Sequence, residues 1–248
     1  MCLEELVTGK AWKNVRYGTT TRDMTGGVSE APYDKFNLGL HCGDKAEHAQ
    51  ANRDALTAVL PSRPLWLNQV HGTEVLNADK FFQYPATADA AITTQKGRVL
   101  AIMTADCLPV VVADSEGRII GAAHAGWRGL QAGILEKLVR QMQAQFPDSV
   151  LQAWIGPAIS PAVFEVGAEV YEAFAATDSA LAVFFKTGER VGKYFADLPS
   201  IAHYKLKQSG VQQVELSYEC TYLQENKYFS YRRANPTGRM VTIAYIED

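Results

Sequence analysis

Three reactive side chains of the 248-residue chain each follow a short apolar run: His71 after Leu65 to Val70, Cys107 after Val99 to Thr104, and His124 after Arg118 to Ala123. Strand ends that open into loops are where sites are commonly built. Two imidazoles and a thiolate give a tetrahedral ion three ligands and leave the fourth position for water or substrate, the pattern of catalytic rather than structural zinc. Such an ion would activate a bound oxygen. Taken singly, each residue reads as core, a histidine with a satisfied ring or a cysteine acting as a small hydrophobe. Their shared position at strand ends favours chemistry.

Spacing adds a geometric expectation. Asp114-Ser115-Glu116-Gly117 reads as a hairpin turn, and a turn centred there sets Cys107 directly opposite His124, with Cβ atoms about 4.5–5.5 Å apart. A bulge at Gly117 would shift the register by one and place the two on opposite faces. Directly after His124, Ala125-Gly126-Trp127-Arg128-Gly129 opens a helical segment whose free N–H groups, with the Arg128 guanidinium, suit phosphate or carboxylate. The alternative is a tight turn with a solvated arginine. His41, in the loop after Asn37, is a candidate general base or supporting partner, whereas His203 reads as structural. Trp66, Trp127 and Tyr231-Arg232-Arg233 could stack a planar ligand, although most aromatic residues read as core or rim.

The elements that must position these residues follow from periodicity. Arg16 to Thr21 reads as a strand, followed by a Gly-rich loop through Gly26, Gly27 and Asn37-Leu38-Gly39. Asp44 as N-cap with Glu47 three residues on forms a capping box for a helix over 45–60, ended by Pro61. Short apolar runs at Leu65–Val70, Ala90–Thr94, Val99–Thr104, Val110–Ala113 and Arg118–Ala123 predict a sheet that is at least partly antiparallel. Leu130, Ile134, Leu135, Leu138, Val139, Met142 and Phe146 recur at helical spacing up to Pro147. Strands are expected at Val150–Ile155, Val211–Leu216, Tyr228–Tyr231 and Arg239–Ile246, and helices near Gly167–Ala176 and Pro199–Gln208. The mixed order, without a repeating βαβ beat, predicts an α+β fold in a single domain over 1–248.

Composition narrows the function classes. With 47% apolar and 10% aromatic residues, 19 glycines and 10 prolines, disorder, collagen and coiled coil are excluded. At this length folding buries roughly three quarters of the unfolded surface, so neither metal nor disulfide is needed as a staple. The net charge of -3 and the lack of any run of five like charges argue against a nucleic-acid surface. The four cysteines, Cys2, Cys42, Cys107 and Cys220, form no CxxC, and MCLEELVTGK carries no signal pattern, which predicts a cytoplasmic protein. Apolar stretches stop well short of the ~20 residues of a membrane helix.

Several segments together carry a resemblance. Thr20-Thr21-Arg22, Gly26-Gly27-Val28-Ser29, Phe36-Asn37-Leu38-Gly39, Gly43-Asp44, Asn52-Arg53, Asn68-Gln69-Val70-His71-Gly72 and Thr104-Ala105-Asp106-Cys107-Leu108-Pro109 run in order along the chain. His124-Ala125-Gly126-Trp127-Arg128-Gly129, Gly156-Pro157-Ala158-Ile159 and Phe229-Ser230-Tyr231-Arg232-Arg233 with Thr237-Gly238-Arg239 follow them. The set resembles the YfiH or laccase-domain family, also known as multicopper polyphenol oxidase-like and peptidoglycan-editing-factor proteins. The resemblance implies a mixed β-sheet sandwich with helices outside, and zinc held by His71, Cys107 and His124, which would also be the catalytic residues. It further implies phosphorolysis of adenosine, inosine, guanosine and methylthioadenosine, and deamination of adenosine. Arg128 and its loop would then hold phosphate, with Asn37, Gln69 and Arg232 as further substrate contacts. Two positions depart from the family pattern: Ala162 where relatives often carry cysteine, and Cys42 where an aliphatic residue is usual.

Rival readings differ in what the triad does. A His, His, Cys set also resembles a blue-copper site, and copper is the alternative ion. A multicopper oxidase, with its mononuclear site and trinuclear cluster, uses more imidazoles than 5 histidines provide. A metal-free hydrolase with Cys107 as nucleophile and His124 as base would fit an amide-cleaving enzyme acting on peptidoglycan precursors. A binding module without catalysis is the third class. The expected partners are a nucleoside and phosphate, with no nucleic acid, no membrane and a monomeric chain.

Overall fold

Alternation of apolar residues over short runs produces two sheets packed face to face, and the computed structural model describes them over residues 2–80 and 86–247. One sheet has the spatial order β1 (Val15–Thr19), β14 (Met240–Ile246), β6 (Leu100–Thr104), β2 (Leu65–Asn68), β4 (Ala86–Thr87). The other runs β13 (Gln213–Leu216), β9 (Leu151–Ile155), β7 (Leu108–Asp114), β8 (Ile120–Ala125), β5 (Ala90–Thr93), β3 (Val75–Asn77). A small third sheet joins β10 (Glu165–Gly167), β12 (Lys193–Ala196) and β11 (Phe185–Thr187). The helices are α1 (Ala46–Thr57), α2 (Trp127–Gln131), α3 (Ile134–Gln145), α4 (Ala168–Thr177) and α5 (Leu198–Gln208). The fold is mixed α+β, as the sequence pattern predicts, and takes the sandwich form that the family resemblance implies.

Period-two side-chain alternation divides β7 between two cores. Val111 and Ala113 point between the sheets, meeting Leu100 and Ile102 of β6 and Tyr17 of β1. Val110 and Val112 face the opposite way, against Leu135, Leu138 and Met142 of α3 and Ile201 of α5. Covered on both faces, β7 and β8 are buried along their whole length, which is why they read as continuous apolar runs. Gly121 of β8 lets α3 approach closely, since a Cβ there would meet Leu138 Cδ1 at 2.8 Å. A third core packs Leu56 of α1 with Phe36 and Leu38 against Trp66, Val241 and Ile243 on the outer face of the first sheet. Trp66 is therefore core, with the Arg53 guanidinium 3.9 Å over its ring.

Four expectations are corrected. The β7–β8 hairpin pairs Val110 with Ala123 and Pro109 with His124, so Cys107 is not directly opposite His124. The loop takes four residues, Ser115 to Arg118, closed by Asp114 N–H donating to Ile119 O at 3.0 Å. The register is thus displaced by two, which preserves the face and places the two residues diagonally. Asp44 does not cap α1: Lys45 occupies that position, and the Asp44 carboxylate accepts from Ser29 Oγ at 2.6 Å and Asn37 Nδ2 at 2.8 Å. The helical run expected up to Phe146 is broken into α2 and α3 at Gly133, whose φ of 94° lies in the left-handed region. Tyr228 to Tyr231 is not a strand. Its buried aromatics imitate one, but Phe229 N–H donates to the Met240 sulfur at 3.1 Å rather than to a ladder partner.

Candidate functional site

His71, Cys107 and His124 reach the site from three elements. His71 lies just beyond β2, Cys107 just before β7, and His124 on β8. Their nearest ligand atoms lie within 4.8 Å of one another, forming a group that could hold a metal ion. Cys107 Sγ is 3.9 Å from His71 Nε2, and the two imidazole rings meet edge to face with centroids 4.7 Å apart. A tetrahedral ion with ordinary zinc bond lengths spaces nitrogen and sulfur ligands about 3.3–3.6 Å apart, so this set fits with shifts of a few tenths of an ångström to about 1.5 Å.

One carboxylate organises two of the three. His124 Nδ1 donates to Asp89 Oδ1 at 2.8 Å, which fixes the tautomer and leaves Nε2 free to bind an ion. The same carboxylate accepts three consecutive backbone N–H groups, from Val70 (3.1 Å), His71 (2.9 Å) and Gly72 (2.7 Å). That nest holds His71 at a φ of 59°, a left-handed conformation rare outside glycine. Gly126 provides the remaining clearance, since a Cβ there would lie 2.8 Å from His71 Cδ2 and 3.1 Å from Cys107 Sγ. This is the diagonal register seen from the site: Gly126, not His124, stands across from Cys107.

The electrostatics favour a thiolate beside an imidazolium when no ion is bound. Burial pushes the Cys107 thiol up, but the His124 charge and hydrogen bonds with His124 and His71 outweigh it and bring it down to about 6. Burial pulls His124 down, whereas the Cys107 thiolate and the Asp89 carboxylate raise it by more. Asp89 is pushed up by burial yet held below the ordinary carboxylate range by His124 and the Gly72 N–H.

A cavity of about 530 Å³ opens above the triad, a size typical of small-molecule sites. Trp127, Phe164 and Tyr231 supply aromatic walls, and His41, Arg232 and Arg239 supply cationic or basic groups. His41 is held low by burial and by the Arg239 and Arg53 charges. Asp106, next to Cys107, has a φ of 89° and is held by Thr221 Oγ1 (2.6 Å), Ser230 Oγ (3.0 Å) and the Arg232 N–H (2.7 Å). It thereby ties the Tyr231–Arg232 wall to the Cys107 corner.

Of the expected substrate contacts, Arg232 and Gln69 line the cavity and Arg128 and Asn37 do not. Successive helical residues are rotated by about 100°, so Trp127 faces in while Arg128 is exposed, its guanidinium 4.3 Å over the Trp127 ring. Asn37 is fully buried, bonded to Gly39, Asp44 and the Arg239 N–H, and shapes the loop. Gln69 spends both amide atoms on Met103, donating to its carbonyl and accepting from its N–H at 2.8 Å each. His203 lies on α5 away from the cavity. Sequence reasoning missed Asp89 and Asp106; the signal for Asp89 was a carboxylate inside the apolar run Ala88 to Ile92.

Among the described residues, no helix is long and apolar enough to cross a membrane. Residues 16–247 match the family model described as multi-copper polyphenol oxidoreductase laccase. An Escherichia coli protein named purine nucleoside phosphorylase YfiH is 46% identical over 237 residues, covering 94% of this chain and 95% of that one. A Pseudomonas aeruginosa purine nucleoside phosphorylase is 42% identical over 234 residues, 94% of each chain. The crystal structure of a Neisseria meningitidis protein superposes with a TM-score of 0.90 at 38% identity, covering 98% of both chains. That of YlmD from Geobacillus stearothermophilus gives 0.83 at 27% identity, over 98% of this chain and 100% of that one.

Proposed function

The chain belongs to the multi-copper polyphenol oxidoreductase laccase family, and from that premise and the site geometry we propose that it is a zinc-dependent purine nucleoside phosphorylase that also deaminates adenosine. The observation that carries the reading is the placement of a three-ligand cluster at one end of a cavity walled by Trp127, Phe164 and Tyr231. A planar purine needs aromatic faces of this kind. Adenosine, inosine, guanosine and methylthioadenosine are the proposed substrates.

In phosphorolysis a phosphate oxygen forms a bond to C1′ of the ribose as the C1′–N9 bond breaks. The electron pair leaves with the purine, which takes up the proton of the phosphate, giving ribose 1-phosphate and free base. In deamination, water adds at C6 and ammonia departs. His71, Cys107 and His124 would hold zinc, which when bound supplies Lewis-acid polarisation of an oxygen at the open position. Asp89 keeps the His124 tautomer and the His71 backbone in place. The aromatic walls orient the base and exclude water.

A second reading has its own support. The line Asp89–His124–Cys107, with a thiol brought down to about 6, is also the arrangement of a cysteine hydrolase that needs no metal. Metal analysis of anaerobically purified protein, followed by assay of hypoxanthine release from inosine with and without phosphate, separates the two. Stoichiometric zinc and phosphate-dependent release support the phosphorylase. Release that ignores phosphate, or full phosphorolysis in a metal-free Cys107→Ala variant, overturns it.

A further inference from the structure

Phosphorolysis needs an oxyanion subsite, and Arg128 does not reach the cavity. Apart from the triad, the charged or basic side chains lining the cavity are His41, Asp106, Arg232 and Arg239 among the described residues. Asp106 is turned away from ligand, its Oδ1 engaged by Thr221 and its Oδ2 by Ser230 and the Arg232 N–H. Arg232 donates Nη1 to Glu165 O at 2.8 Å, with its guanidinium 4.9 Å over Phe164.

Arg239 is anchored within its own loop near His41, with its guanidinium 5.8 Å from the Tyr231 ring centroid. Its backbone N–H is fixed by Asn37 Oδ1 at 2.9 Å, and its Nη1 donates to Thr237 O at 2.8 Å and Gly238 O at 3.0 Å. Gly39 is what lets the loop close on the arginine stem, since a Cβ there would meet Arg239 Cγ at 2.8 Å. One guanidinium nitrogen is thus anchored, while Nε and Nη2 have no hydrogen-bond partner among the described residues and the side chain lines the cavity. His41 lines the same cavity, close enough for the Arg239 charge to act on it. Arg53 adds a buried guanidinium behind it, bonded through Nε to Leu38 O at 2.8 Å. Asp44, the carboxylate of this loop, is turned back onto Ser29 and Asn37.

We infer that Arg239, with His41 beside it, forms the oxyanion subsite of the cavity and takes inorganic phosphate as co-substrate. A pre-anchored guanidinium edge matches two oxygens of a tetrahedral dianion, and a neutral imidazole N–H adds a third donor. The inference rests on the phosphorolytic reading above, in which the held phosphate bonds to C1′ as the purine leaves.

The test uses the purified, metal-loaded protein in equilibrium dialysis with radiolabelled orthophosphate, alongside KM values for phosphate and inosine. Arg239→Gln raises the phosphate Kd and KM by about tenfold or more, as expected for a charge-assisted contact, with inosine KM little changed. His41→Asn gives a smaller increase in the same direction and carries the test if Arg239→Gln folds poorly. Unchanged phosphate affinity in both variants, or a loss on Arg128→Gln instead, overturns the subsite. If Arg239→Gln loses affinity for inosine 5′-monophosphate but not for orthophosphate, the anion belongs to the substrate and the co-substrate assignment falls. Arg239-dependent phosphate binding without inosine cleavage leaves the subsite standing and removes the phosphorolytic reading. Inosine phosphorolysis with phosphate affinity independent of Arg239 does the reverse.

Discussion

Asp89 Oδ1 accepts both the Nδ1–H of His124 at 2.8 Å and the backbone N–H of His71 at 2.9 Å, so one buried oxygen sets the orientation of two candidate ligands. Its Oδ2 is taken by the N–H groups of Val70 and Gly72. All four partners are donors. Asp89→Asn must therefore point an NH2 at a donor, leaving buried groups unsatisfied at a cost of about 1–3 kcal/mol. The expected result is a lower melting temperature and a metal affinity reduced about 10–100-fold. Competition with a chromophoric chelator reads the second effect, and an unchanged affinity would remove Asp89 from the support of the site.

The Cys107 thiol, pushed up by burial but brought down to about 6 by His124 and His71, predicts a distinctive pH profile for the metal-free protein. The folded value is depressed, so the thiolate fraction rises as pH increases through about 6 and is nearly complete by about pH 7.5. Alkylation of Cys107 by iodoacetamide should follow that curve, whereas an ordinary thiol continues to gain reactivity to about pH 9. Peptide-resolved mass spectrometry separates Cys107 from Cys2, Cys42 and Cys220. His124→Ala should move the Cys107 midpoint upward, and added zinc should suppress the reaction.

Gly126 has φ −61° and ψ 159°, a backbone open to any residue, so its role is steric alone. In Gly126→Ala the new methyl would lie 2.8 Å from the His71 ring and 3.1 Å from the Cys107 sulfur. Overpacking of this kind costs about 1–3 kcal/mol and separates the ligands. The variant should fold, bind metal more weakly than the parent and lose most activity. Full activity with normal metal content would show that the ligands have room to part without consequence.

The clustering of His71, Cys107 and His124 was legible in the sequence because each follows an apolar run, and such runs mark strands. The hairpin between two of them was legible only in outline. Symmetry about Asp114–Gly117 suggested a direct pairing, but a four-residue loop from Ser115 to Arg118 displaced it by two. Because side chains alternate with period two, that displacement kept Cys107 and His124 on one face and the site survived it. The strands of the third sheet were missed, since Glu165–Gly167 and Phe185–Thr187 are three residues each and carry little periodicity. Asp89 and Asp106 were missed for a different reason: what they do depends on backbone N–H groups and on residues over 100 positions away, such as Ser230. Local pattern does not encode such contacts.

Gln69, expected to contact substrate, lines the cavity while its amide bridges two strand ends. Beyond Asn68 the chain leaves β2 to reach His71, and the β2–β6 pairing ends at Trp66 and Ala101, before Met103. The Gln69 amide substitutes for that pairing, donating to Met103 O and accepting from Met103 N at 2.8 Å each. This lets the strands part and form the cavity without stranding a peptide group. Gln69→Leu keeps the volume but leaves both Met103 groups unpaired, at about 1–3 kcal/mol for each that water does not reach. Urea denaturation should show a lower midpoint with an unchanged slope, and activity should fall mainly in kcat as the segment leading to His71 loosens. A residue that contacts substrate would behave otherwise, raising KM with stability intact. That outcome would return Gln69 to the binding surface.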